Sequence, residues 1–327
     1  MRLKFAIANF ACAALLQLTA WETVSAQQLD MSYPGLTGES APLWIARESG
    51  IFKEYGIDAR LVYIGGGGRL SIQSLLANST QFMTGDAVSA LSAIAGGADI
   101  VLLASAKNVL PYVFAVSKDV RRPQELKGRI IATSQIGGRA GEIARMVIRN
   151  IGLDPDKDVT YLAVGGTMSR LAALSTGKVH AAPISQIVVP VAEERGLKIM
   201  QLEPIPLIID ALWTSRKFAE ENPQVVQNVL RGYIRAIAVL VKDREKSVEI
   251  MRKYMRSIDA KMVQGAYERY KEEVDRVPIP SEKAIKNTLE ISHRVAPKLA
   301  GIDINRYLYF TPVQRLATEG FIDRLYK

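Results

Sequence analysis

Residues 35–68, GLTGESAPLWIARESGIFKEYGIDARLVYIGGGG, restrict the fold more than any other stretch, because their pattern returns 98 positions later. Within the stretch, Pro42 fits the first turn of a helix, with Ser40 as its cap. Leu43, Ile45 and Ala46 begin an apolar face, Gly50 and Gly56 interrupt the helix, and residues 60–64 alternate as a short strand. The glycines at 65–68 let the backbone approach another group closely before Arg69 opens the next helix. Further along, Ile143-Ala144-Arg145 repeats Ile45-Ala46-Arg47, and Gly152-Leu153-Asp154 follows as Gly56-Ile57-Asp58 does. The hexapeptide YLAVGG at 161–166 then echoes YIGGGG at 63–68. Echoes that keep their order over so long a stretch imply two similar α/β lobes rather than a solenoid of small units.

The chain has 327 residues, enough for two such lobes. Residues 1–26 read as a cleaved export leader. Arg2 and Lys4 give a positive start, residues 5–18 are apolar but short for a bilayer, and Val24-Ser25-Ala26 is a small-residue cleavage site. The one cysteine, Cys12, lies in that leader, so the mature chain is expected to carry no disulfide, thiolate nucleophile or cysteine metal ligand. After the leader, residues 27–110 together with 210–327 are assigned to lobe 1, and residues 111–209 to lobe 2. Lobe 2 reads as an alternating strand–helix run, which predicts a mostly parallel sheet. From Arg216 onward the pattern is helical, ending in a helix over 312–325.

The formal net charge is +9. Basic and acidic residues alternate in KDREK at 242–246 and across 268–276, as on a solvated helix face, and no aromatic–basic stripe appears. Nucleic acid is therefore not an expected partner. His180 and His293 match no metal spacing, and the glycines at 65–68 lack the Lys-Ser/Thr of a phosphate-binding loop. No cofactor, metal or catalytic residue is expected.

The segment APLWIARESGIFKEYGID at 41–58 resembles the start of the nitrate/sulfonate/taurine-type periplasmic solute-binding proteins. DVRRPQELKG at 119–128, ATSQIGG at 132–138, LSTGKVHA at 174–181 and KFAEENPQVVQNVL at 217–230 fall where that family has comparable segments. The resemblance spans essentially the mature chain. It implies an α/β, two-lobed periplasmic-binding-protein fold with two crossover strands and a helical C-terminal segment. It also implies a small-molecule ligand between the lobes, delivery to the permease and ATPase of an ABC transporter, a monomer, and a periplasmic location. Two other functions belong to the same resemblance: a ligand-sensing subunit for a membrane receptor, and a binder or enzyme like the fungal pyrimidine-precursor synthases. The synthases depend on cysteines that the mature chain lacks.

In open α/β sheets, ligands sit beyond the carboxyl ends of the strands. Five polar or glycine-rich ends supply the expected site: Gly38 and Ser40; Gly67, Gly68 and Arg69; Gly85 and Asp86; Ser134, Gly137, Gly138 and Arg139; and Gly166 with Thr167. Lys107, Asn108, Ser185, Gln186 and Trp213 near the crossings complete it. Free amides at helix starts favour an anionic group. Arg69, Lys107, Arg139 and Arg170 are each either anion partners or exposed helix charges. Asp86 either caps the helix starting at Ala87 or receives an amine, and Trp213 either lines the cleft or is core. With Ser185 and Gln186 neutral, the expected solute is a small organic anion such as a sulfonate or carboxylate.

Overall fold

The computed structural model describes residues 26–327 apart from 66–67, 111, 135–138, 201–202 and 257, and leaves the side chains of Arg139 and Ile187 undescribed. Residues 1–25 of the expected leader, with Cys12, and Gly67, Gly137 and Gly138 lie outside the described residues.

Among the described residues, ten strands follow in order: β1 (Gln27–Tyr33), β2 (Ile57–Tyr63), β3 (Phe82–Gly85), β4 (Ile100–Val109), β5 (Tyr112–Val116), β6 (Arg129–Thr133), β7 (Val159–Ala163), β8 (Ala181–Ser185), β9 (Lys198–Met200) and β10 (Pro206–Ser215). They form two five-stranded sheets, ordered β2-β1-β3-β10-β4 and β7-β6-β8-β5-β9. The two orders match strand for strand. In each, a parallel trio is followed by a strand that enters antiparallel: β10 beside β3 in the first, β5 beside β8 in the second. The echo of YIGGGG in YLAVGG marks corresponding places, running from the end of edge strand β2 or β7 to the following helix. The second sheet is mixed: β7, β6, β8 and β9 run one way, as the expectation of a mostly parallel sheet has it, and β5, antiparallel to both β8 and β9, runs the other.

The chain passes from the first sheet to the second between β4 and β5, and returns between β9 and β10. The passages lie side by side. Pro206 pairs with Val109, and the Leu110 amide donates to the Ile205 carbonyl at 3.0 Å. Ala104 and Ala106 on β4 and Ala211 and Leu212 on β10 are fully buried, so the middles of these strands are fixed by packing.

Helices cover the first sheet. The helix Ala41–Glu48 carries Pro42 in its first turn and buries Leu43, Trp44, Ile45 and Ala46 completely. It packs against Pro223–Lys242, whose buried positions recur at helical spacing (Val226, Val229, Leu230, Tyr233, Ile237, Leu240). The Trp44 ring stacks on Tyr254 with centroids 4.8 Å apart and planes 6° from parallel. The helix Glu282–Val295 lies along β10, where Thr288 Oγ1 accepts from the Ile208 amide at 3.0 Å. Its Ile291 reaches the core of the second sheet. The closing helix expected over 312–325 is two helices, Thr311–Thr318 and Phe321–Tyr326. Gly320 between them has φ of 68°, a left-handed turn that ends the first helix and starts the second. Among the described residues, no helix is long and apolar enough to cross a membrane.

Candidate functional site

Two hollows open between the sheets and share Thr37, Glu39 and Ser185. The larger is a cavity of about 310 Å³. Its lining from the first sheet and its loops includes Glu39, Ser40, Gly68, Thr84, Gly85, Asp86 and Asp210, and Tyr112 and Ser185 close it from the second sheet. The smaller, about 100 Å³, is bounded by Gly38, Lys107, Arg269 and Tyr270 on one side and by Ser185 and Gln186 on the other.

Local chemistry fixes each wall. Strand β3 delivers Thr84 at its carboxyl end, and the chain turns at once into the helix Ala87–Ala95. Asp86 caps that helix: Oδ1 accepts from the Ser89 amide and Oδ2 from the Ser89 hydroxyl, each at 3.0 Å. Gly68 starts the neighbouring helix, Gly68–Leu76. A Cβ on Gly68 would stand 3.0 Å from Ser89 Cβ and 3.4 Å from Asp86 Oδ2, so only glycine lets the two helix starts close up at the cavity. Ser40 lines the wall, but it is not the side-chain cap its position suggested. Its backbone is already helical, at φ −86° and ψ −6°, and its hydroxyl donates to the Gly35 carbonyl at 2.9 Å, holding the 35–40 loop together.

Asp210 is a buried acid within the apolar run of β10, at a point where the β10–β4 register shifts. The hydroxyl of Tyr233 donates to its Oδ2 at 3.3 Å, and the hydroxyl of Tyr270 donates to the same atom. Burial pushes the Asp210 carboxyl up to about 7, helped by Glu39 and opposed by the two tyrosine hydrogen bonds and Lys107. The Tyr233 and Tyr270 hydroxyls are raised well above the usual phenol range, first by burial and then by Asp210. Lys107 Nζ is buried between two carboxylates, 2.6 Å from Glu273 and 3.7 Å from Glu39. Gln186, just after β8, reaches the helix Ala260–Glu273, its Nε2 donating to Glu273 Oε1 at 3.1 Å.

The expected site residues fall into separate groups. Gly38, Ser40, Gly68, Gly85, Asp86, Lys107, Ser185 and Gln186 line the two hollows. Trp213 does not. It is packed among Leu91, Leu102, Ile208 and Leu299, with Nε1 donating to the Gly85 carbonyl at 3.4 Å, because β10 turns alternate side chains into that core. Asn108 is turned inward, its Nδ2 donating to the Ser105 carbonyl at 2.9 Å and to Asp275 Oδ2 at 2.7 Å. Arg170 is buried and committed to Pro183, Gly165 and Thr167. It braces its own turn instead of receiving an anion, and burial lowers its guanidinium from the usual value. Arg69 is exposed, and it, Ser134, Gly166 and Thr167 line neither hollow. Arg139 begins the helix Arg139–Asn150.

Sequence reasoning missed Thr84, Tyr112, Glu39 and Asp210. A single acid inside the apolar run PLIIDALW was the available signal for Asp210. The described lining of the two hollows contains no histidine or cysteine.

The family described as NMT1/THI5 like matches residues 37–247. The chain belongs to this family. The sequence matches no curated protein significantly. Among solved structures, the fold is shared with a putative periplasmic sulfonate-binding protein SsuA from Methylobacillus flagellatus, at 17% identity and TM-score 0.71, covering 91% of this chain and 97% of that one. It is shared also with the periplasmic aliphatic sulphonate binding protein SsuA from Escherichia coli, at 20% identity and TM-score 0.69, covering 86% and 97%. The desulfurization enzyme DSZB, solved with biphenyl-2-sulfinic acid, has the same fold at 13% identity and TM-score 0.64, covering 90% and 99%. These likenesses identify the periplasmic-binding-protein fold.

Proposed function

We propose that this chain is an exported solute-binding protein that captures one small organic solute carrying an acidic group between its two sheets and delivers it to an ABC importer. In this reading, residues 1–26 are the export leader, the mature protein works as a periplasmic monomer, and lobe 1 (27–110 with 210–327) closes on lobe 2 (111–209). The observation that carries the reading is the cavity of about 310 Å³, with Thr84, Gly85 and Asp210 on one side and Tyr112 and Ser185 on the other. A solute touching both walls favours the closed arrangement by its differential contacts. Gly68, at the start of its helix, lines the same space, and a helix start of this kind suits an acidic group. Sulfonate binding by the relatives of the same fold supports this class of solute.

A thermal-shift screen of the mature protein against sulfonates, nitrate, aromatic carboxylates and pyrimidines tests the reading. A ligand at a hundred times its Kd adds about 2.7 kcal/mol to stability. Stabilisation by an acidic member of the panel is expected. Stabilisation only by sugars or inorganic cations, or by nothing, contradicts it.

A further inference from the structure

One helix is anchored in the cores of both sheets. In Glu282–Val295, Ala284 is fully buried in the core on the first sheet, with Leu91, Leu102 and Trp213. Ile291, two helical turns further on, is 3% exposed and belongs to the core on the second sheet, with Ile143 and Val147 of the helix Arg139–Asn150. Hydrogen bonds strengthen the first anchor. Besides the bond at Thr288, Asn287 Nδ2 donates to the carbonyl of Pro206, the first residue of β10, at 2.8 Å. Ion pairs strengthen the second. Arg149 pairs with Glu290, and Arg294 Nε stands 3.8 Å from Glu142 Oε2. Among the described residues, none of this helix lines either hollow.

We infer that Glu282–Val295 is a strap that holds the two sheets facing each other, and that its grip on Arg139–Asn150 sets, from outside the gap, how readily they part. This rests on the reading that the sheets close on a solute. Parting them turns one sheet against the other about the two passages, between β4 and β5 and between β9 and β10. The strap is bonded to β10 and goes with the first sheet. Such a turn therefore draws Ile291 out of the second core and separates both ion pairs. Withdrawing Ile291 exposes apolar surface, so this residue supplies most of the grip. The side chains of Arg149 and Glu290 are 41% and 44% exposed, and a pair so exposed contributes little and is screened by salt. The pairs therefore tune the balance rather than lock it. A balance between two arrangements shifts by the differential stabilisation of one of them, and the apparent Kd of a solute rises as the facing fraction falls.

The test is a pulsed electron spin resonance distance measurement on the mature protein without solute. Residues 27–327 contain no cysteine, so Leu70→Cys and Met168→Cys, exposed on the helices that follow β2 and β7, accept the two spin labels. Glu290→Arg sets like charges against each other at Arg149. It is expected to lower the ratio of short to long distances at least threefold. Adding Arg149→Glu swaps the pair and should restore the ratio, which a merely weakened helix would not do. Ile291→Ala should lower the ratio further than Glu290→Arg does. The same distances in Glu290→Arg and Ile291→Ala, or a swapped pair that restores nothing, overturn the strap. Glu290 is exposed enough for its variant to fold if Ile291→Ala does not. A solute from the thermal-shift screen that shortens the distance while the variants leave it unchanged keeps the solute-binding reading and rejects the strap. Distances that answer to neither solute nor variant reject closure and the strap together.

Discussion

Asp210 on the return strand lies opposite Lys107 on the outbound strand, in the antiparallel pairing of β10 with β4. A buried acid and a buried base thus meet where the chain leaves and re-enters the first sheet. Lys107 turns to Glu273 and Glu39, and Asp210 to two tyrosines, so neither charge is left unpartnered at the joint.

Stability should depend on pH through Asp210. Its folded-state value of about 7 lies above the ordinary aspartate value of 3.8, so the folded protein binds more protons than the unfolded chain between those limits. The contribution is fully present below about pH 4 and is lost as pH rises to about 7. Urea denaturation of wild type and Asp210→Asn across that range checks this. The variant should gain stability relative to wild type as pH rises, with the difference levelling off above pH 7.

Lys107→Met should destabilise the protein by about 3–5 kcal/mol, because Glu273 loses its buried cation. Adding Glu273→Gln should restore part of the loss, since the amide removes the stranded charge. A double-mutant cycle by chemical denaturation measures the coupling, expected at more than about 1 kcal/mol.

Gly232 in the long helix Pro223–Lys242 meets the Phe52 ring: an added Cβ would stand 2.5 Å from Cδ1 and 2.8 Å from Cε1. Alanine gains about 1 kcal/mol of helix propensity over glycine. Overpacking against a fully buried ring costs about 1–3 kcal/mol. The clash should win, so Gly232→Ala is expected to lower Tm rather than raise it.

Much of the architecture was legible because two periodicities alternate along the chain and a glycine-marked turn recurs 98 residues on. The apolar face read at Leu43, Ile45 and Ala46 is fully buried. What escaped was set by tertiary contacts. The direction of β5 depends on a long-range pairing with β8 that has no local signature. Gly320 ends a helix within an apolar pattern that otherwise runs on across it. At the site, glycines flagged Gly68 and Gly85 through backbone geometry, whereas Thr84 and Tyr112 look like ordinary strand residues until the sheets face each other. Arg170 was misread because an arginine on a helix carries no sequence mark of the three oxygens it binds at home.

The most direct measurement is a crystal structure of the mature protein grown with whichever solute most raises its Tm. Electron density for that solute is expected between the sheets, touching Thr84 or Asp210 on one side and Tyr112 or Ser185 on the other. Density at a site away from this gap, or a gap containing only water at saturating solute, would contradict the account.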